Sequence, residues 1–175
     1  MIELDGVRRL LAPRRPMTLV DRVLEVVPGE RIVAVKAVTG NEPWYARMPE
    51  DTPAEQLAYP PTLLIESWGQ AAGILADLSH EGPKGVLLLA GAADVEFHRP
   101  VLPGVLLKHR VRLVRFVREL VGFEGEILVD GKAVASIGQL TMAYRSDDVL
   151  RQSGPTGLTT SATTAATDPP GGPGA

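Results

Sequence analysis

The amino-acid sequence predicts an α+β fold in which a curved antiparallel sheet wraps one long, buried helix. Three observations predict it. Between residues 61 and 80, Leu63, Leu64, Ile65, Trp68, Ala71, Ala72, Ile74, Leu75 and Leu78 cover nearly every side of a helix, which marks it as enclosed. Two β-like runs precede this helix and four follow it. Turn residues join the runs that a hairpin would pair. One long apolar helix among antiparallel strands is enclosed by bending the sheet around it; a helix laid on one flat face of a sandwich is the alternative that the pattern leaves open.

The elements follow in order. Residues 4–11 read as a short helix stopped at Ala12-Pro13, because proline disfavours helical geometry in the residue before it. Residues 18–27 and 31–39 are rich in Val and Ile and flank Pro28-Gly29-Glu30, a turn signal, so they read as a hairpin. The long helix comes next. After Gly82-Pro83 come the β-like runs 85–97, 105–118, 121–129 and 132–144. Asp130-Gly131, between the last two, is a strong type I′ hairpin signal.

A chain of 175 residues with 45% hydrophobic content can build one sizeable core. From Arg151 onward the composition turns to Ser, Thr, Gly, Pro and Ala, with Leu158 the one large apolar side chain. Such a segment cannot bury enough surface to offset its ordering entropy. The expected division is one folded domain over residues 1–145 and a disordered tail over 146–175. With no cysteine in the chain, disulfides, thiolate catalysis and Cys-ligated metal sites are excluded. Acids near the amino terminus and the lack of an apolar run of roughly 20 residues predict a cytoplasmic, unexported protein. A net charge of −3 does not by itself imply a nucleic-acid or membrane partner, and neither is expected.

Glu66 and Gln70 are polar, lie four apart on one helix face and interrupt an otherwise apolar segment. Buried acids are rare unless partnered. The catalytic reading is a general acid/base carboxylate held by an amide. The structural reading is a polar pair satisfied by backbone or water. The residues alone leave both open.

The surrounding letters decide the context. Leu19-Val20-Asp21-Arg22-Val23, then Val38-Thr39-Gly40-Asn41-Glu42-Pro43, then the stretch from Pro60 to Gly73, then Phe97-His98-Arg99-Pro100-Val101-Leu102-Pro103-Gly104 stand in one order. Together they resemble the 3-hydroxyacyl-[acyl-carrier-protein] dehydratases of fatty-acid and polyketide synthesis, across residues 8–144. That resemblance implies a hot-dog fold and a dimer with two sites at its interface. Each site would combine a histidine and a helix-start glycine from one subunit with a carboxylate from the other. It further implies a substrate carried on the phosphopantetheine of an acyl carrier protein, and no cofactor or metal. Glu66 matches the catalytic carboxylate and Gln70 the supporting glutamine one turn later.

Two departures accompany the matches. The family's Gly-His-Phe-Pro stands here as Ala46-Arg47-Met48-Pro49, so Arg47 occupies the histidine position, and arginine is no base near neutral pH. The family's Pro-Gly stands as Pro60-Pro61, so Pro61 removes the backbone N–H that would polarise the thioester carbonyl. The loop over residues 50–59 is also longer than the family's. Both losses fall in one half-site while the carboxylate of the other remains. The leading expectation is therefore the carboxylate-donating subunit of a heterodimeric dehydratase, inactive as a homodimer. The alternative is a non-catalytic hot-dog protein that binds an acyl thioester or carrier protein. Thioester hydrolysis, which also needs the helix-start donor, ranks last.

Other groups read more plainly. His98 is a strand-end residue, His80 ends the helix where a cation suits the dipole, and His109 is placed among surface bases. Lys108, His109, Arg110, Arg112, Arg115 and Arg118 form a run without an acid. It reads as a solvated strand face, or, with Lys108, Arg110, Arg112 and Arg115, as a dock for an acidic carrier protein. Trp44, Tyr45 and Trp68 read as core or interface, with an acyl tunnel as the other reading.

Overall fold

The computed structural model describes residues 1–80 and 85–145. The expected tail, residues 146–175, lies outside the described residues. The elements are α1 (Leu4–Leu10), β1 (Arg22–Val27), β2 (Arg31–Val38), α2 (Pro61–Ser79), β3 (Val86–Phe97), β4 (Val105–Val117), β5 (Leu120–Val129) and β6 (Lys132–Arg145). Two single 3-10 turns, Pro43–Arg47 and Ala54–Gln56, lie between β2 and α2. The predicted element order holds throughout.

The six strands form one antiparallel sheet in the order β1-β2-β4-β5-β6-β3. Register breaks at Val23/Glu25, Leu89/Gly91, Leu113/Arg115 and Phe123/Gly125 add local twist, and the sheet curves around α2. The helix packs on β4, β2, β5 and β1. Asp130 and Gly131 both take positive φ, 51° and 76°, as a type I′ turn requires.

Trp68 anchors the helix to the sheet. Its ring is fully buried, and its indole N–H donates to the Arg110 carbonyl at 3.1 Å. Gly125, at φ 155°, makes room for both: a Cβ there would lie 2.0 Å from the Arg110 oxygen and 3.1 Å from the Trp68 ring. At the other end of α2, the Ser79 hydroxyl accepts the Gly29 N–H at 2.7 Å, tying the helix to the β1–β2 turn.

Two expectations are corrected. The strand predicted from residue 18 begins at Arg22. Residues 17–19 spend their backbone groups on the Gln70 side chain instead of a neighbouring strand. His109, expected among surface bases, is fully buried. Successive residues of a strand face opposite sides, so Leu107, His109 and Val111 point to the core while Lys108, Arg110 and Arg112 point to solvent.

Neither ring nitrogen of His109 has a hydrogen-bond partner among the described residues. Burial, with the Lys36 cation adding to it, pushes the imidazole pKa down to about 3. The unfolded chain then binds a proton below about pH 6.5 that the folded chain refuses. Stability is therefore full above that pH and falls as pH drops toward 3, by up to about 1.4 kcal/mol per pH unit. Urea unfolding at several pH values should show this slope, and His109→Leu should flatten it. An unchanged slope in the variant would place the titration elsewhere.

Candidate active site

A groove of about 620 Å³ runs along α2, walled on one side by β3 and at one end by residues 10–13. The helix is thus not enclosed on every side, as its apolar residues suggested. The sheet ends at β3, and its curvature covers α2 only as far as that edge. Along β3, Leu88, Leu89 and Phe97 are exposed beside a backbone edge with no strand partner among the described residues.

Glu66 and Gln70 both line this groove, Glu66 half-buried and Gln70 buried. The Gln70 amide nitrogen donates to Glu66 Oε1 at 2.8 Å and to the Met17 carbonyl at 2.7 Å, and its oxygen accepts the Leu19 N–H at 2.9 Å. Glu66 is therefore held at one oxygen by an amide that the Met17–Leu19 backbone holds in turn. No described residue donates to its other oxygen. The arrangement presents one fixed carboxylate with an uncommitted oxygen beside an apolar wall, which suits proton exchange with a bound hydroxyl.

The two departures occupy distinct positions. Pro61 is the first residue of α2, and the Pro60 carbonyl accepts from Leu63 and Leu64, at 3.0 and 3.1 Å. The first N–H of the helix therefore belongs to Thr62. Arg47 ends the first 3-10 turn and is exposed, with no ion pair or hydrogen bond from its side chain among the described residues. His98 is exposed just beyond β3, and its side chain does not line the groove. His80 caps α2 at its C-terminal end and stacks on Tyr144, ring centroids 4.5 Å apart, and on Phe116. Trp68 and Tyr45 are core, whereas Trp44 is half exposed.

The basic run is less positive than its letters suggest. Arg110 and Arg112 pair across the strands with Glu126, at 3.2 Å, and with Glu124. Arg115 lies over Gly122 on the same outer face. Lys108, Arg110, Arg112 and Arg115 are all exposed, but the acids of β5 offset half of this charge, which one strand's sequence could not reveal.

Sequence reading missed a buried ion pair behind the site. Lys36 Nζ lies 2.8 Å from Glu42 Oε1, with Lys36 almost wholly buried, and sits over the Tyr59 ring at 5.5 Å. The Tyr45 hydroxyl donates to Leu57 O, and Tyr59 N–H to Val101 O. These contacts fix the loop that carries Arg47 and delivers the chain to Pro61. The one signal was position: Lys36 shares the inward face of β2 with Ile32, Ala34 and Val38. Among the described residues no cluster of His, Asp or Glu could hold a metal, and no helix is long and apolar enough to cross a membrane.

The chain matches the FabA-like domain family over residues 11–138. It is 35% identical over 151 residues to the 3-hydroxyacyl-[acyl-carrier-protein] dehydratase FabZ of Bordetella pertussis, covering 83% of this chain and 97% of that protein. The FabZ of Bordetella bronchiseptica matches to the same extent. Among solved structures, the chain is similar to the dehydratase heterocomplex ApeI:P from Xenorhabdus doucetiae. There the TM-score is 0.69 at 21% identity, over 83% of this chain and 95% of that one. The phenylacetic acid degradation protein PaaI from Thermus thermophilus gives a TM-score of 0.52 at 18% identity, over 71% and 92%. The structural likenesses establish the hot-dog fold: a curved antiparallel sheet around a long helix.

Proposed function

This chain belongs to the FabA-like family of 3-hydroxyacyl-[acyl-carrier-protein] dehydratases, and from that premise we propose that it is the carboxylate-donating subunit of a heterodimeric dehydratase. One observation carries the reading. Glu66 and its Gln70 clamp are kept, while Arg47 and Pro61 stand where the family places its base and its carbonyl donor. A second dehydratase-like subunit, bearing the histidine and the glycine, would add its strand at the β3 edge and close the groove. A heterocomplex among the similar dehydratase structures supports this reading.

In the mixed site, a 3-hydroxyacyl thioester arrives on the phosphopantetheine of an acyl carrier protein. The partner's histidine removes a C2 proton, and the released electron pair forms the C2–C3 double bond. The C3–O bond breaks, and Glu66 supplies the proton with which the hydroxyl leaves as water. The partner's glycine N–H steadies the charge that grows on the thioester oxygen. The site formed by Arg47 and Pro61 with the partner's carboxylate has no base and stays silent.

The purified chain alone is expected to show no dehydration of a carrier-bound 3-hydroxyacyl substrate, and the co-purified complex to show turnover. Arg47→His combined with Pro61→Gly should restore activity to the chain by itself. Turnover by the unmodified chain near that of the complex would refute the subunit reading. Binding of substrate without turnover in every mixture would favour a binding protein.

A further inference from the structure

One row on the outer face of the sheet is apolar. Val117 pairs with Leu120, Leu120 with Ala143 and Ala143 with Leu88, so these four stand in line across β4, β5, β6 and β3. Their strand neighbours Phe116, Val121, Tyr144 and Leu87 pack on the core, so the row itself faces outward. Val117, Leu120 and Leu88 are 53%, 46% and 40% exposed. Further along the same face Arg112 meets Glu124 and Arg110 meets Glu126, the polar surface expected of a sheet side that meets water. The apolar row, about 14 Å across four strands, departs from that rule.

Two cations flank the row. Arg115 lies over Gly122 in the next outward row, and Arg118 occupies the turn between β4 and β5. Neither side chain has an ion pair or hydrogen bond among the described residues, whereas Arg145 is held by Glu119 at 2.8 Å. The chain leaves β6 at this same end: Ala143 belongs to the row, and Arg145 is the last strand residue. The residues that follow are Ser146-Asp147-Asp148-Val149-Leu150. Serine and aspartate are turn formers, and two acids followed by two aliphatic residues match the two unpaired cations and the apolar row in kind. Four or five residues reach at most about 13–18 Å, and crossing one or two strand spacings to Leu120 and Val117 takes about 5–10 Å. Being attached, this segment meets the row at an effective concentration near millimolar, which a second copy of the chain does not reach in dilute solution. From Arg151 the composition turns to Ser, Thr, Gly, Pro and Ala and offers the row little.

We propose that residues 146–150 double back from β6 over the outer face and cover this row, with Val149 and Leu150 on Leu120 and Val117, and Asp147 and Asp148 against Arg118 and Arg115. The folded domain then ends at Leu150 instead of Arg145. The segment runs from β6 toward β4, away from β3, so the β3 edge stays open to a partner strand. This contact is independent of the dehydratase reading.

The chain has no cysteine, so introduced pairs report the contact directly. In the full chain, Leu120→Cys with Leu150→Cys should close an intramolecular disulfide under mild oxidation on the order of tenfold faster than Leu120→Cys with Ser153→Cys. Docking holds the first pair within bridging range, whereas a tether alone favours neither. Adding Asp147→Lys and Asp148→Lys should slow the first closure severalfold. Independently, Val149→Asp with Leu150→Asp should lower the melting temperature by about 3–6 °C, and Leu158→Asp should leave it unchanged. Equal closure rates for the two pairs would show a tethered segment that does not dock, and a mainly intermolecular disulfide would give the row to a second copy; either overturns the proposal. An unchanged melting temperature in the Val149→Asp, Leu150→Asp variant overturns it too, leaving the row to a foreign partner. Closure that ignores the two lysines would overturn the charge pairing.

Discussion

Glu66→Gln is expected to lower the turnover of the mixed complex by about 10²–10⁴-fold, the usual contribution of a positioned acid or base, without loosening its assembly. Glutamine fills the same volume and can still meet the Gln70 amide through its own oxygen, so the clamp to Met17 and Leu19 survives. What would disappear, in the proposed mechanism, is the proton for the leaving hydroxyl. In the proposed heterodimer the matching carboxylate of the partner would point into the site that holds Arg47 and Pro61, so its change to glutamine should cost little. This asymmetry separates the models. A complex with two working sites loses part of its activity with either change, and a scaffolding role loses none. Turnover of a carrier-bound substrate by each variant complex, with assembly checked by native mass spectrometry, decides between them. Equal losses from both changes, or no loss from Glu66→Gln, would mean that this chain does not donate the carboxylate.

Lys36→Met should destabilise the fold by about 3–5 kcal/mol, because it leaves the Glu42 carboxylate buried without its cation. The Lys36 and Glu42 side chains are 5% and 13% exposed, so water cannot replace the lost partner as it would at the surface. Replacing both partners removes the stranded charge, so Lys36→Met with Glu42→Gln should recover much of the loss. The effect should reach the site, since Glu42 opens the turn that ends in Arg47 and Tyr59 lies under the Lys36 ammonium. Urea denaturation of the two single variants and the double variant closes the cycle. A single-variant loss below about 1 kcal/mol would show that the pair behaves as a solvated surface bridge.

The sequence by itself determined the order of elements, the Asp130-Gly131 turn, the central helix, the pair Glu66 and Gln70, and the proline at the helix start. These rest on short-range chemistry: helical and strand periods, turn residues that accept positive φ, and a ring that removes an N–H. Only the tertiary structure decided which face of each element met protein and which met open space. The apolar helix looked enclosed, but the sheet stops at β3 and leaves the Glu66 face on a groove. The basic run looked uniform until β5 set Glu124 and Glu126 opposite Arg112 and Arg110. His109 looked like a surface base until the alternation of β4 turned it into the core. Lys36 and Glu42 stand six residues apart on either side of a strand end, and only the path of the loop brings them together. Periodicity states that a residue faces inward or outward, but its partner across strands or across a loop depends on register and chain path, and these are settled by packing the whole chain at once.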